Sequence, residues 1–292
     1  MTTFDVHQHL WPPAVVELLT RRRRPPCISE GIVRIPGRSA FPFDEAQSDV
    51  GCRLAQLDAD GIELAVVSLS PTDCFDAELT AAWEVAMPEV SRAAGGRLIP
   101  LAARRPAPGF AGVCISAADL IGDFDRLAGP VAAAGEVLFV HPGPASAPPP
   151  GVPVWWPGAF DYAAQMQAAL VAWLGGPGRR AGGPPVIFAI LAGGAAILLD
   201  RLRARGAELA PVDDHRLYLD TASFGEAAIR FCRDQVGSGR LLYGSDAPVI
   251  SSQRTLAAVR GLGASDAAAV LSTNPASLYG SFIPERSQCQ TL

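Results

Sequence analysis

The chain has 292 residues, 49% of them hydrophobic and 18% charged, with a formal net charge of −5. That length and apolar content fit one large domain with ample core. No apolar run approaches the ~20 residues of a membrane helix, and the negative balance argues against nucleic acid as a partner.

All 24 basic residues are arginine. Without lysine there is no Schiff-base chemistry and no carbamylated-lysine bridge between two metal ions, so a histidine-bound metal is expected to be single. The opening MTTFDVHQHL has neither the basic nor the apolar stretch of a leader. The six cysteines, at 27, 52, 74, 114, 232 and 289, show no CxxC spacing. Together these features predict reduced thiols and a cytoplasmic location.

In chain order, short runs rich in Val, Ile, Leu and Phe predict strands at 3–8 (TFDVHQ), 63–69, 97–102, 110–116, 136–141, 185–191, 216–221 and 240–245. Amphipathic segments between them predict helices at 46–59, 76–94, 117–134, 160–174, 194–205, 224–236 and 252–262. Most end at a glycine (61, 95, 135, 175 or 206), the residue that best adopts the left-handed conformation closing a helix. The arginine run 21–24 reads as the solvated end of a first helix. Strands that are apolar throughout and alternate with helices indicate a parallel sheet covered on both faces. Eight such units predict an α/β fold, a (β/α)8 TIM barrel occupying 1–283 as a single domain, with a frayed tail at 284–292. No GxGxxG follows the first strand, which weakens the doubly wound alternative. The Pro-rich stretches 24–44 and 143–158 are expected to be long loops acting as lids over the barrel mouth.

In this fold, active sites sit where the strands end. His7 and His9 fall at the end of the first strand, His141 ends the fifth (FVHPG), and Asp246 follows the eighth (YGSDAP). Alternation in a strand puts His7 and His9 on the same side. Strand eight neighbours strand one on closure, and strand five faces it across the barrel. The expectation is a metal site of His7, His9, His141 and Asp246, with neutral imidazoles and one carboxylate suiting zinc, and manganese, iron or cobalt as alternatives. No organic cofactor is expected. Asp5, of the same parity one layer deeper, is expected to hydrogen-bond to a ligand histidine, and Asp220, ending strand seven, to give similar support. Trp11, Trp155 and Trp156 are candidate walls for a planar substrate, and Arg104 a candidate clamp for its carboxylate. His215, in VDDHR before strand seven, reads as solvated.

The order HxH after the first strand, HPG after the fifth and GSDxP after the eighth resembles the amidohydrolase superfamily. With HQHLWPPAVVELL and RLAQLDADGIELAVVSLS, it is similar to the amidohydrolase-related branch that includes aminocarboxymuconate-semialdehyde decarboxylase. The resemblance spans nearly the whole chain. It implies one divalent metal, usually zinc, with His7, His9, His141 and Asp246 in the ligand positions. The sequence departs from the branch at one place. After the sixth strand the branch carries a histidine in a pattern like H-x-G-G, and here FAILAGGAA places Leu191 at that position.

Three functions are compatible with this reading. The first is metal-dependent hydrolysis of a small amide, lactone or ester by a water that the ion activates, with Asp246 as proton carrier. It does not need the missing histidine. The second is non-oxidative decarboxylation of a small aromatic or unsaturated acid, and the third a degenerate barrel that binds without catalysis. The expected partner is a small molecule rather than nucleic acid or membrane, with a homodimer compatible with the apolar composition.

Overall fold

The computed structural model describes residues 1–146, 149–176, 182–212 and 214–283; the expected tail 284–292 lies outside them. β1 (Phe4–His9) is followed by helix Pro13–Arg21, then by three short strands, β2 (Cys27–Ser29), β3 (Ile32–Arg34) and β4 (Phe41–Pro42). The remaining strands are β5 (Leu64–Ser68), β6 (Leu98–Pro100), β7 (Gly112–Ser116), β8 (Val137–His141), β9 (Val186–Phe188), β10 (Leu217–Asp220) and β11 (Leu241–Leu242).

Strands β1, β5 and β6 pair in parallel, as do β7 through β11 in order. Backbone hydrogen bonds join the two sets at both seams. Past β6, the Ala102 amide donates to Gly112 (2.9 Å) and the Ala102 carbonyl accepts from Cys114 (2.8 Å). Past β11, the Val6 amide donates to Tyr243 and the Asp246 amide to His7, each at 2.8 Å. Eight strands therefore form a ring with helices packed outside, the (β/α)8 arrangement the alternation predicts. The strands are buried throughout because both faces are covered, one by the barrel interior and one by helices. Phe4, Phe139, Phe188, Trp83 and Trp173 are among the fully buried side chains of this core.

Helices begin and end close to where the sequence places them. Ala117–Ala134 starts with a capping box between Ser116 and Asp119 and stops at Gly135, whose φ is 69°. The segment 46–59 is instead two helices, Glu45–Ser48 and Val50–Asp60, because Asp49 caps the second, accepting the Cys52 amide at 2.6 Å. Of the arginine run, Arg21 pairs with Glu17, and Arg22 reaches Asp76 and Glu78.

Two expectations are corrected. The segment 24–44 is not an open loop: β2, β3 and β4 form a small antiparallel sheet. Its hairpin turns on Glu30 and Gly31, both at positive φ, which is the two-residue geometry that matches strand twist. A glutamate is an unusual first residue for that turn, so the sequence signal is weak. The predicted strand 185–191 ends at Phe188, because Ile190 through Gly194 form a left-handed turn with φ between 48° and 74°. An apolar run reads alike as strand or as buried turn. In the other Pro-rich segment, residues 147 and 148 lie outside the described set, and Pro157–Asp161 begins the helix that continues as Tyr162–Gly175. No helix among the described residues is long and apolar enough to cross a membrane.

Candidate metal centre

All eight barrel strands run in one direction, so their carboxyl ends share one rim. His9 is the last residue of β1, His141 of β8 and Asp220 of β10, and Asp246 lies four residues past β11. One nitrogen from each of His7, His9 and His141 and one oxygen of Asp246 lie within 4.8 Å of one another. His7 Nε2 is 3.3 Å from His9 Nε2, and Asp246 Oδ1 is 3.3 Å from His9 Nε2 and 3.6 Å from His7 Nε2. The three imidazole rings meet edge to face with centroids 5.0 to 5.1 Å apart.

What surrounds the cluster assigns its protons. His7 Nδ1 lies 2.9 Å from Asp220 Oδ2, His9 Nδ1 3.1 Å from the Ser68 carbonyl, and His141 Nδ1 2.9 Å from the Pro142 carbonyl. Each Nδ1 thus faces an acceptor and carries the hydrogen, which leaves the other ring nitrogen as a lone pair. The four atoms that converge are then acceptors only. Asp246 Oδ1 is buried and has no hydrogen-bond partner. Buried acceptors turned on one another repel unless a cation lies between them. Four tetrahedral ligands at the bond lengths of zinc, about 2.0–2.1 Å, stand roughly 3.4 Å apart, close to the three separations measured among His7, His9 and Asp246. The residues therefore fit a divalent ion.

The electrostatics point the same way. Burial alone disfavours a charged His7, but the carboxylates of Asp220, Asp246 and Asp5 outweigh it and push its pKa up to about 9. His141 goes well below the ordinary value, through burial first and then through the charges on His9 and His7. Asp246 is lowered despite burial, by the His9 ring beside it and the charges of His7 and His9. Without a metal, a proton on His7 takes the place of the cation.

Supporting residues differ in part from expectation. Asp220 takes the His7 ring on Oδ2, while its Oδ1 accepts the amides of Ile190 (3.2 Å) and Ala222 (2.8 Å). Asp5 does not reach an imidazole. It accepts the backbone amides of His7 and Ser245 and the side chain of Gln8, tying β1 to the loop that carries Asp246. Gly244, in the GSDAP motif, has no space for a side chain: a Cβ there would sit 2.8 Å from His7 Cβ and 3.0 Å from Asp220 Cγ. Arg53, buried under the same loop, donates to Gln8 Oε1 and to the carbonyls of His9 and Ala247.

A small cavity of about 100 Å³ opens beside the cluster, walled by His9, Trp11, Arg38, Phe41, Phe43 and Asp73 among others. Trp11 is thus placed at the site. Arg104 is exposed, Trp155 is 58% exposed, and Trp155 and Trp156 pack on Phe160 in the helical segment that follows them; none of the three lines the cavity. Sequence reasoning missed Arg38, Phe41, Phe43 and Asp73 because three of them belong to the segment it took for a lid. Leu191 is fully buried in the left-handed turn, beside the Ile190 amide held by Asp220.

No family model and no curated protein matches the chain. Solved structures do. The apo form of IDCase from Metarhizium anisopliae is 17% identical with a TM-score of 0.76, over 97% of this chain and 98% of that one. The 5-carboxyvanillate decarboxylase of Novosphingobium aromaticivorans, solved with manganese and a nitrobenzoic acid, is 16% identical with a TM-score of 0.70, over 96% of each chain. The 2,6-dihydroxybenzoate decarboxylase of Rhizobium is 14% identical with a TM-score of 0.68, over 96% of this chain and 99% of that one. The chain is built on the (β/α)8 barrel fold that these decarboxylases share with solved amidohydrolases.

Proposed function

We propose that this protein is a metal-dependent enzyme of the amidohydrolase superfamily that removes CO2 from a small planar carboxylic acid. The observation that carries this reading is the convergence of three imidazole lone pairs and an unpartnered carboxylate oxygen on one point at the barrel mouth. His7, His9, His141 and Asp246 would hold the ion. A divalent cation there supplies Lewis acidity, drawing electron density from an oxygen of the substrate and stabilising the charge left when a bond to carbon breaks.

The chain's own residues do the rest. Asp220, Ser68 and Pro142 fix the tautomers of the three histidines, so the ligand geometry is set before substrate arrives. Trp11 and Phe43, nearly parallel at 7° with centroids 6.5 Å apart, present flat apolar surface to a ring. Asp246, with one oxygen directed at the histidines, retains the second to hold and return a proton. The fold neighbours that are decarboxylases of aromatic acids support this choice of reaction.

Hydrolysis of a small amide, lactone or ester is the second reading, and Leu191 favours it. A buried leucine donates no proton, so the donor for the carbon left by CO2 must come from Asp246 or solvent. One experiment separates the two. The manganese- or zinc-loaded protein is offered a panel of aromatic and unsaturated acids, amides, lactones and esters in H2 18O and, separately, in D2O. Decarboxylation gives CO2 and deuterium on carbon; hydrolysis gives 18O in the product. CO2 from no acid in the panel refutes the first reading.

A further inference from the structure

The cavity holds a cation that the scheme above leaves unused. Arg38 is 26% exposed, and its Nη1 donates to Asp73 Oδ1 at 2.9 Å, with the Thr72 hydroxyl 3.5 Å away. No other nitrogen of this guanidinium has a hydrogen-bond partner among the described residues. Asp73 is 4% exposed and takes the Trp11 indole N–H on its second oxygen at 3.3 Å. The guanidinium carbon sits 5.4 Å from the centre of the Phe41 ring. Arg38, Asp73, Trp11, Phe41 and Phe43 all border the cavity that His9 reaches from the metal cluster.

A buried carboxylate with no cation beside it would be costly, and Arg38 removes that cost on one edge of its fork. Five N–H donors in a rigid plane leave a second edge available. The remaining carboxylate on the rim, Asp44, is committed to the Ala46 amide at 3.0 Å. The arrangement is therefore a guanidinium pinned from behind, stacked on one ring and open toward a cavity walled by two more.

We propose that Arg38, positioned by Asp73, forms a subsite for an anionic group of a planar substrate, most simply a carboxylate received by the free edge of the guanidinium. This rests on the preceding reading only in placing the reacting substituent at the metal cluster. The subsite selects charge, whereas Trp11 and Phe43 select flatness.

Benzoate and its neutral isostere benzamide are titrated into the metal-loaded protein, followed by quenching of tryptophan fluorescence. The wild type should prefer benzoate. Arg38→Met should weaken benzoate about tenfold or more, the loss expected for a charge-assisted hydrogen-bond pair, and leave benzamide unchanged. Arg38→Lys should recover part of the preference, and Asp73→Asn, which leaves the cation but not its anchor, should reduce it. Metal content of one equivalent in every variant checks that the neighbouring site is intact. Benzoate affinity in Arg38→Met within twofold of the wild type overturns the proposal. Binding that follows this pattern without CO2 release keeps the subsite and discards the reaction. CO2 release without any dependence on Arg38 does the reverse.

Discussion

Replacing Asp220 with asparagine tests the proton logic of the metal site at a single atom. In the wild type, Oδ1 accepts two backbone amides, from Ile190 and Ala222, and Oδ2 accepts the His7 ring at 2.9 Å. An amide group has one acceptor and one donor end. Two N–H groups already point at the Oδ1 position, so the asparagine oxygen must stay there and its NH2 must face His7. An NH2 group donates to Nδ1, which reverses the tautomer and puts the imidazole hydrogen on Nε2, aimed at the point where the ligands converge. Loss of an outer partner of a ligand histidine typically lowers metal affinity 10- to 100-fold, about 1.4–2.7 kcal/mol. The reversed tautomer places Asp220→Asn at the upper end of that range. Competition with a fluorescent chelator measures the affinity, and the far-ultraviolet circular dichroism of the variant checks its fold. Zinc or manganese affinity within twofold of the wild type would refute the tautomer argument and, with it, the assignment of the cluster as a metal site.

Three further outcomes follow from the same geometry. Gly244→Ala should destabilise the protein by about 1–3 kcal/mol, the usual range for overpacking, and weaken metal binding too, because its methyl group meets both His7 and Asp220; thermal melts with and without metal read both effects. Stripping the metal with a chelator should lower Tm, since an ion that binds only the folded chain contributes about 2.7 kcal/mol when present at a hundred times its Kd. The pH dependence of the two forms should differ: the metal-free form weakens as pH rises, while the metal-bound form, whose His7 is neutral like that of the unfolded chain, changes little. The His7 pKa is raised from 6.5 to about 9 in the metal-free protein, so protonated His7 stabilises that form fully below pH 6.5, and the contribution disappears as pH rises through about 9. Metal must displace this proton, so affinity should climb over the same interval and level off above it. Melting of both forms from pH 6.5 to 9.5 checks the divergence; a metal-induced rise in Tm that shrinks with pH would contradict it.

The alternation of apolar strands with helices, and the three motifs that end strands one, five and eight, were legible without coordinates. Both are local properties. An apolar run flanked by turn residues reports its own conformation, and in a parallel barrel the end of any strand lies on the functional rim. The histidine pair of β1 is readable for the same reason, because side chains two residues apart in a strand point the same way. Asp5 marks the limit of that reasoning. Its parity matches the two histidines, yet its carboxylate reaches the His7 backbone rather than a ring.

Partnership is what folding decided. The group that orients His7 is 213 residues away, and β10 brings it there only because the barrel places it two strands from β1. Arg38 and Asp73 are 35 residues apart, in the connection between β3 and β4 and on a 3₁₀ turn, which meet beside the cavity. Ile190 and Leu191 read as strand, yet the Asp220 carboxylate and two following glycines hold them in a left-handed turn. Each left-handed non-glycine residue costs about 1–2 kcal/mol, a penalty that only tertiary contacts offset. Periodicity tells which side of a strand a residue faces; which acceptor waits on that side depends on segments far along the chain, and so belongs to the folded structure alone.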